Sequence, residues 1–156
     1  YTIVDARCAG TEPWLYGGVN ADAVTVLPYG GAESCKAAED KLVIAVLRTR
    51  DAGVASVQNL MAGDRQVFLA AGEQMTRFGA ACMAETGYSL DVKELRRKLK
   101  GAFLILSGCD ADNAYPAFDE FGRGAMLADE ALQYAPDMDA AIDAAMADTK
   151  KIIQVL

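Results

Sequence analysis

The chain has 156 residues, 53% of them hydrophobic, and 15 basic against 22 acidic residues give a formal charge of −7. That balance argues against a general nucleic-acid binder, which needs a phosphate-neutralising surface, and no apolar run reaches the roughly 20 residues of a membrane span. Histidine is absent, which excludes Ser/His and Cys/His catalysis and removes the commonest metal ligand.

Alanine supplies 29 of the hydrophobic residues and there are only four prolines. This composition favours helices and predicts an all-α class. The length suits one domain with its own core.

Residues 1–33 differ from the rest. They hold Pro13, Pro28, the Gly17-Gly18 and Gly30-Gly31 pairs and the single tryptophan, Trp14. Val24 to Leu27 suggests a short extended piece. The apolar content is too high for a disordered tail, so the segment is expected as an irregular N-terminal arm packed on residues 34–156.

The first helix is expected from about Ser34 to Ala62, with Leu42, Val46, Thr49, Gly53, Val57 and Leu60 on one face and Gly63 as its stop. A second is expected from Asp64 to about Gly87, carrying Phe68, Ala71, Met75, Phe78 and Cys82 at alternating steps of three and four. A third begins after Ser89 or Asp91, buries Val92, Leu95, Leu99 and Leu106, and ends at Gly108. A fourth follows Asn113, takes Pro116 in its first turn and runs to about Tyr134. Beyond Pro136 a fifth carries Met138, Ile142, Ala145, Thr149, Ile152 and Leu156. Short connections predict antiparallel neighbours, hence an up-down helical bundle of four to five helices.

Cys8, Cys35, Cys82 and Cys109 form an even set, read as buried thiols or as two disulfides. In the bundle, Cys35 at the start of one helix meets Cys82 near the end of the next. Cys82 and Cys109 would lie about 25 Å apart at 1.5 Å per residue, beyond the reach of a disulfide. The expected pairing is therefore Cys35–Cys82, worth about 4 kcal/mol on the chain-entropy account, with Cys8–Cys109 pinning the arm. Without CxxC pairs or histidine, zinc is not expected.

Other motifs fall short of their chemistry. Pro28 to Lys36 leads glycines into a helix start but lacks the Gly-Lys-Ser/Thr of a phosphate loop. Gly122-Arg123-Gly124 lacks the last glycine and the preceding strand of a dinucleotide fingerprint. Asp110, Asp112, Asn113, Asp119 and Glu120 cluster, but Ala114, Tyr115 and Phe121 occupy positions a calcium loop needs. Cys82 as a tetrapyrrole attachment point has no Arg/Asp pair to support it. No catalytic, cofactor-binding or metal-binding residue is assigned.

Charge is unevenly spread. Lys93, Arg96, Arg97, Lys98 and Lys100 make a basic strip, whereas Asp110 to Asp148 is strongly acidic. The expected function is a non-catalytic accessory or structural subunit docking on a larger assembly, including one at a membrane surface. Trp14, Tyr16 and Tyr29 are its aromatic interface residues and Lys93, Arg96, Arg97 and Lys100 its basic ones. In overall texture the helical part resembles the small extrinsic bundles at the lumenal side of photosynthetic membrane complexes. That resemblance implies a processed N-terminus and an oxidising compartment, secreted or lumenal. The alternatives are a carrier of an apolar ligand or pigment held between helices, and a small enzyme using carboxylates and a cysteine.

Overall fold

The computed structural model describes residues 1–8, 19–38, 41–85, 89–107, 114–127 and 130–155. The run Leu42-Val43-Ile44-Ala45-Val46-Leu47 is a β-strand, and every residue from Val43 to Arg48 is buried. A strand covered on both faces loses its period of two and becomes a continuous apolar run, which is the mark of a parallel sheet.

The chain is therefore α/β, and the expected all-α up-down bundle is corrected. Strands β1 (Ile3–Cys8), β2 (Ala23–Val26), β3 (Leu42–Arg48), β6 (Ala81–Glu85), β7 (Leu104–Ser107) and β8 (Ala125–Leu127) are ordered β1-β2-β3-β6-β7-β8 in a six-stranded sheet. Strands β4 (Met61–Ala62) and β5 (Arg65–Gln66) form a separate antiparallel hairpin. Backbone contacts divide the chain into two compact units, Tyr1–Met83 and Ala84–Leu156.

In the first unit β1 and β2 run parallel, as do β2 and β3, with Val24 opposite Val43 and Thr25 opposite Ile44. The region expected as an irregular arm thus supplies two strands. Pairing of β1 with β2 slips between Val4 and Cys8: Val4 faces Val24, and Cys8 faces Val26. The expected first helix is replaced by 3-10 turns at Ala32–Ala38 and Val54–Ser56, β3, and β4, the first strand of the hairpin. Helix α1 (Val67–Phe78) buries Phe68, Leu69, Gly72 and Met75 at steps of one, three and three, an apolar stripe of helical period. It stops at Gly79, whose φ of 90° closes a left-handed cap with its N–H on the Thr76 carbonyl. Only glycine takes that conformation at little steric cost, and β6 starts two residues later. Full burial of Phe68, Met75, Ile44 and Leu47 contributes about 1.5–3 kcal/mol each.

In the second unit α2 (Ser89–Lys98) places Val92 and Leu95, followed by Leu99, in the core. The chain then enters β7, pairs parallel with β8 through Ile105–Ala125, Leu106–Met126 and Ser107–Leu127, and crosses over through a 3-10 turn at Tyr115–Ala117. So the expected third helix ends early, and the expected fourth resolves into a turn, a strand and the short α3 (Glu130–Gln133). Helix α4 spans Met138–Val155.

Candidate functional site

Parallel sheets of this kind are apolar along their length and carry function at the carboxyl ends of the strands. In the first unit Arg7, Thr25 and Arg48 lie towards those ends, with Asp5 at mid-strand. Asp5 is the third and Arg7 the fifth of the six residues of β1, Thr25 is the third of the four residues of β2, and Arg48 closes β3. Register and alternation place Thr25, Ile44, Val46 and Arg48 on the same face of the sheet.

Three of these side chains form one hydrogen-bonded cluster. The Thr25 hydroxyl, itself buried, donates to Asp5 Oδ1 at 2.6 Å and accepts the Arg7 backbone N–H at 3.3 Å. Arg7 Nε donates to both Asp5 oxygens at 3.0 Å. Burial pushes the Asp5 carboxyl up, but the hydrogen bonds from Arg7 and Thr25 and the Arg7 charge outweigh it and hold the group below its ordinary 3.8. Asp5 is thus a carboxylate at neutral pH, beside a permanent cation. Arg7 has φ 45°, a left-handed backbone that non-glycine residues seldom adopt. Such outliers persist where the surroundings over-determine them, and here the Thr25 hydroxyl holds the Arg7 N–H. The pair can offer an acceptor and a cation to a ligand within a few ångströms.

At the end of β3 the Arg48 guanidinium lies over the Phe68 ring, 5.5 Å from its centroid. The Tyr29 hydroxyl donates to the Leu47 carbonyl at 2.5 Å, and burial raises its pKa to about 12, against the pull of the Arg48 charge. Beyond them Gln58 folds back on Thr49, accepting its N–H through Oε1 at 3.2 Å and donating to its hydroxyl at 3.3 Å. In the second unit, buried Glu85 closes β6 and buried Ser107 closes β7.

The residues expected at an interface divide differently. Trp14, Tyr16 and Cys109 lie outside the described residues, as does the Cys8 side chain, although its backbone ends β1. Tyr29 is partly exposed but tied by its hydroxyl to Leu47. Arg96 is structural: its Nη1 donates to the carbonyls of Leu99, Lys100 and Ala102 and its Nη2 to that of Ala117. Arg97 pairs with Glu94 on the surface, and Lys93 and Lys100 are exposed.

Cys35 and Cys82 are buried thiols, on a 3-10 turn and on β6. The antiparallel helices that brought them together do not exist, so the geometric case for their disulfide falls. Asp119 of the acidic cluster accepts the N–H groups of Phe121 and Arg123 and the Arg123 Nε. It organises the turn before β8; Glu120 is exposed, and Asp110, Asp112 and Asn113 lie outside the described residues. Among the described residues, no three His, Cys, Asp or Glu side chains group as metal ligands, and no helix is long and apolar enough to cross a membrane.

Sequence reasoning missed Asp5, Arg7, Thr25, Arg48, Glu85 and Ser107. A signal was present: Val-Asp-Ala-Arg, Val-Thr, Ala-Val-Leu-Arg, Met-Ala-Glu and Leu-Ile-Leu-Ser are apolar stretches interrupted or ended by a polar residue.

Compared as a sequence, the chain matches no family model and no curated protein. Compared as a structure, it matches an OMP decarboxylase from Leishmania donovani at a TM-score of 0.86 and 20% identity, over 97% of this chain and 67% of that one. It also matches UMP synthase from the same organism at 0.78 and 17% identity, over 96% of this chain and 39% of that one. KGPDC from Streptococcus mutans gives 0.65 and 13%, over 96% and 72%. The chain spans about two thirds of the Leishmania decarboxylase and under half of the synthase.

At these identities the matches show the fold, that of the OMP decarboxylase TIM barrel. The non-catalytic helical-bundle subunit, with its photosynthetic resemblance and its interhelical ligand carrier, rested on the bundle and is overturned with it. The matched structures are those of enzymes.

Proposed function

We propose that the chain carries an enzymatic site at the carboxyl ends of β1 and β2, and that its reaction is decarboxylation of a phosphorylated carboxylate, orotidine 5'-monophosphate being the first candidate. One observation carries the reading. In the Asp5–Arg7–Thr25 cluster, Arg7 and Thr25 lie towards the carboxyl ends of parallel strands and hold Asp5 between them; those ends are where barrels of this fold do their chemistry, and the fold is shared with OMP decarboxylase. In such a reaction the carbon–carbon bond to the carboxylate breaks, carbon dioxide leaves and a proton takes its place. Asp5 and Arg7 supply fixed charge of both signs at the reacting end of the ligand, and Thr25 fixes where they stand. Charge arranged in advance costs no reorganisation as the reaction proceeds.

The test is release of carbon dioxide from labelled orotidine 5'-monophosphate by the purified chain. Turnover that falls at least 100-fold in Asp5→Asn supports the reading. A folded chain that neither binds nor decarboxylates this substrate removes it.

A further inference from the structure

We infer that the exposed stripe Met138, Ile142 and Met146 on α4 is a docking surface for a second copy of this chain, the two α4 helices packing antiparallel. The inference concerns a surface of the second unit alone and is independent of the reaction proposed above.

Two observations mark this face as incomplete. First, no residue of α4 from Met138 to Lys151 is buried, whereas α1 buries Phe68 and Met75 and α2 buries Val92 and Leu95. Helices in folded chains draw most of their stability from packing an apolar face rather than from propensity, so a helix of 18 residues with so little covered points to a partner. Second, Met138, Ile142 and Met146 stand 49%, 39% and 52% exposed. They recur at steps of four, hence on one face, and make a continuous apolar strip rather than single scattered side chains. Ala141, Ala145 and Thr149 beside them are half-buried. The helix therefore meets the rest of the chain along its small residues and leaves its large ones out.

Charge says what the occupant is. At about 100° per residue, Asp139, Asp143 and Lys150 fall within about 40° of one another, in a row along one flank of the strip. All three are exposed and make no ion pair among the described residues, while Asp148 and Lys151 satisfy each other at 2.9 Å. The two acids sit in the amino-terminal half of the helix and the lysine in the carboxyl-terminal half. Lay a second α4 antiparallel, with Ile142 on the partner's Met146 and Met146 on the partner's Ile142. Lys150 then stands one residue, about 1.5 Å along the axis, from the partner's Asp139 on the same flank. The two-fold axis repeats the contact, so the row is complementary to itself, as an isologous surface has to be. Antiparallel helices also bring opposite dipole ends together. A parallel copy would set acid against acid. An anionic lipid surface would meet Asp139 and Asp143 beside the strip, where interfacial helices carry Lys and Arg.

The experiment is sedimentation velocity on the full chain over a wide range of concentration. It compares the wild type, Ile142→Asp, Lys150→Asp, and Asp139→Lys combined with Lys150→Asp. A wild type that passes from monomer to dimer, with its dissociation constant raised at least tenfold by Ile142→Asp and at least threefold by Lys150→Asp, supports the inference. The charge-swapped double variant restores opposite charges across the axis and is expected to recover the wild-type constant to within twofold. These side chains are exposed, so circular dichroism is expected to show unchanged helix content. Should Ile142→Asp fail to fold, the charge swap carries the test by itself. A wild type that stays monomeric overturns the inference, and flotation of that monomer with vesicles containing phosphatidylserine would give the face to a membrane instead. Dimers indifferent to Ile142→Asp place the contact elsewhere, and a double variant no tighter than Lys150→Asp breaks the antiparallel register; either result overturns it.

Discussion

Thr25 and Asp5, 20 residues apart in sequence, are joined across adjacent parallel strands by a 2.6 Å hydrogen bond from hydroxyl to carboxylate. The same hydroxyl receives the Arg7 backbone N–H. A single buried oxygen therefore fixes both a carboxylate and the strained residue that pairs with it.

Replacing Thr25 with valine keeps the shape and deletes that oxygen. The Arg7 N–H and one Asp5 lone pair lose their partner, at an expected cost of about 1–3 kcal/mol. Urea unfolding of Thr25→Val against Thr25→Ser measures it. Serine restores the hydroxyl and is expected to recover most of the loss; a valine variant as stable as wild type would show that the bond is idle.

Acid stability follows from Asp5. Its carboxyl is held below the ordinary 3.8 by the hydrogen bonds and charge that outweigh burial. A depressed folded value contributes stability that is complete above the unfolded value and disappears as pH falls through the folded one. Asp5→Asn is therefore expected to flatten the pH dependence of stability below about pH 4, while the wild type keeps its slope. Parallel acid limbs in the two proteins would contradict the coupling.

The alkaline limb belongs to Tyr29. Burial raises its hydroxyl to about 12, so the neutral form is favoured in the folded chain. The stability it adds is present below the unfolded value near 10 and is lost as pH rises towards the folded value. Tyr29→Phe leaves the Leu47 carbonyl without this donor, expected to cost about 1 kcal/mol at neutral pH. It also removes this alkaline loss, and thermal melts between pH 8 and 11.5 would show both effects.

The basic strip separates on substitution. Arg96→Met removes donors from four backbone carbonyls, with an expected loss of about 2–3 kcal/mol. Arg97→Ala breaks only an exposed pair with Glu94, and Lys93→Ala changes an exposed side chain. Each is expected to cost under about 0.5 kcal/mol. Equal melting temperatures for all three variants would refute this division.

What was legible in the residues depended on burial. In α1, Phe68, Leu69, Gly72 and Met75 face a core on one side only, so helical spacing survives and can be read. In β3, from Val43 to Leu47, both faces are covered, and the sheet's period of two is erased. A six-residue apolar run then fits strand or helix equally by period, and its length and β-branched Val and Ile should have decided for strand. Alanine content pulled the other way. The same error swallowed β6 and β7, whose Ala-Cys-Met-Ala and Leu-Ile-Leu continue preceding or following helical stripes. Once alternation of strand and helix was missed, the polar residues at strand ends lost their meaning. Asp5, Arg7 and Thr25 form no motif along the chain, because only the parallel pairing of β1 with β2 brings them together.

The slipped pairing of β1 against β2 has one more consequence. Four steps of chain on one side, Val4 to Cys8, answer two on the other, Val24 to Val26. The surplus backbone around Asp5 and Arg7 is a bulge on the β1 side of that pairing. Bulges bend a strand and re-aim the side chains it carries, so this offset sets the direction in which Asp5 and Arg7 leave the sheet.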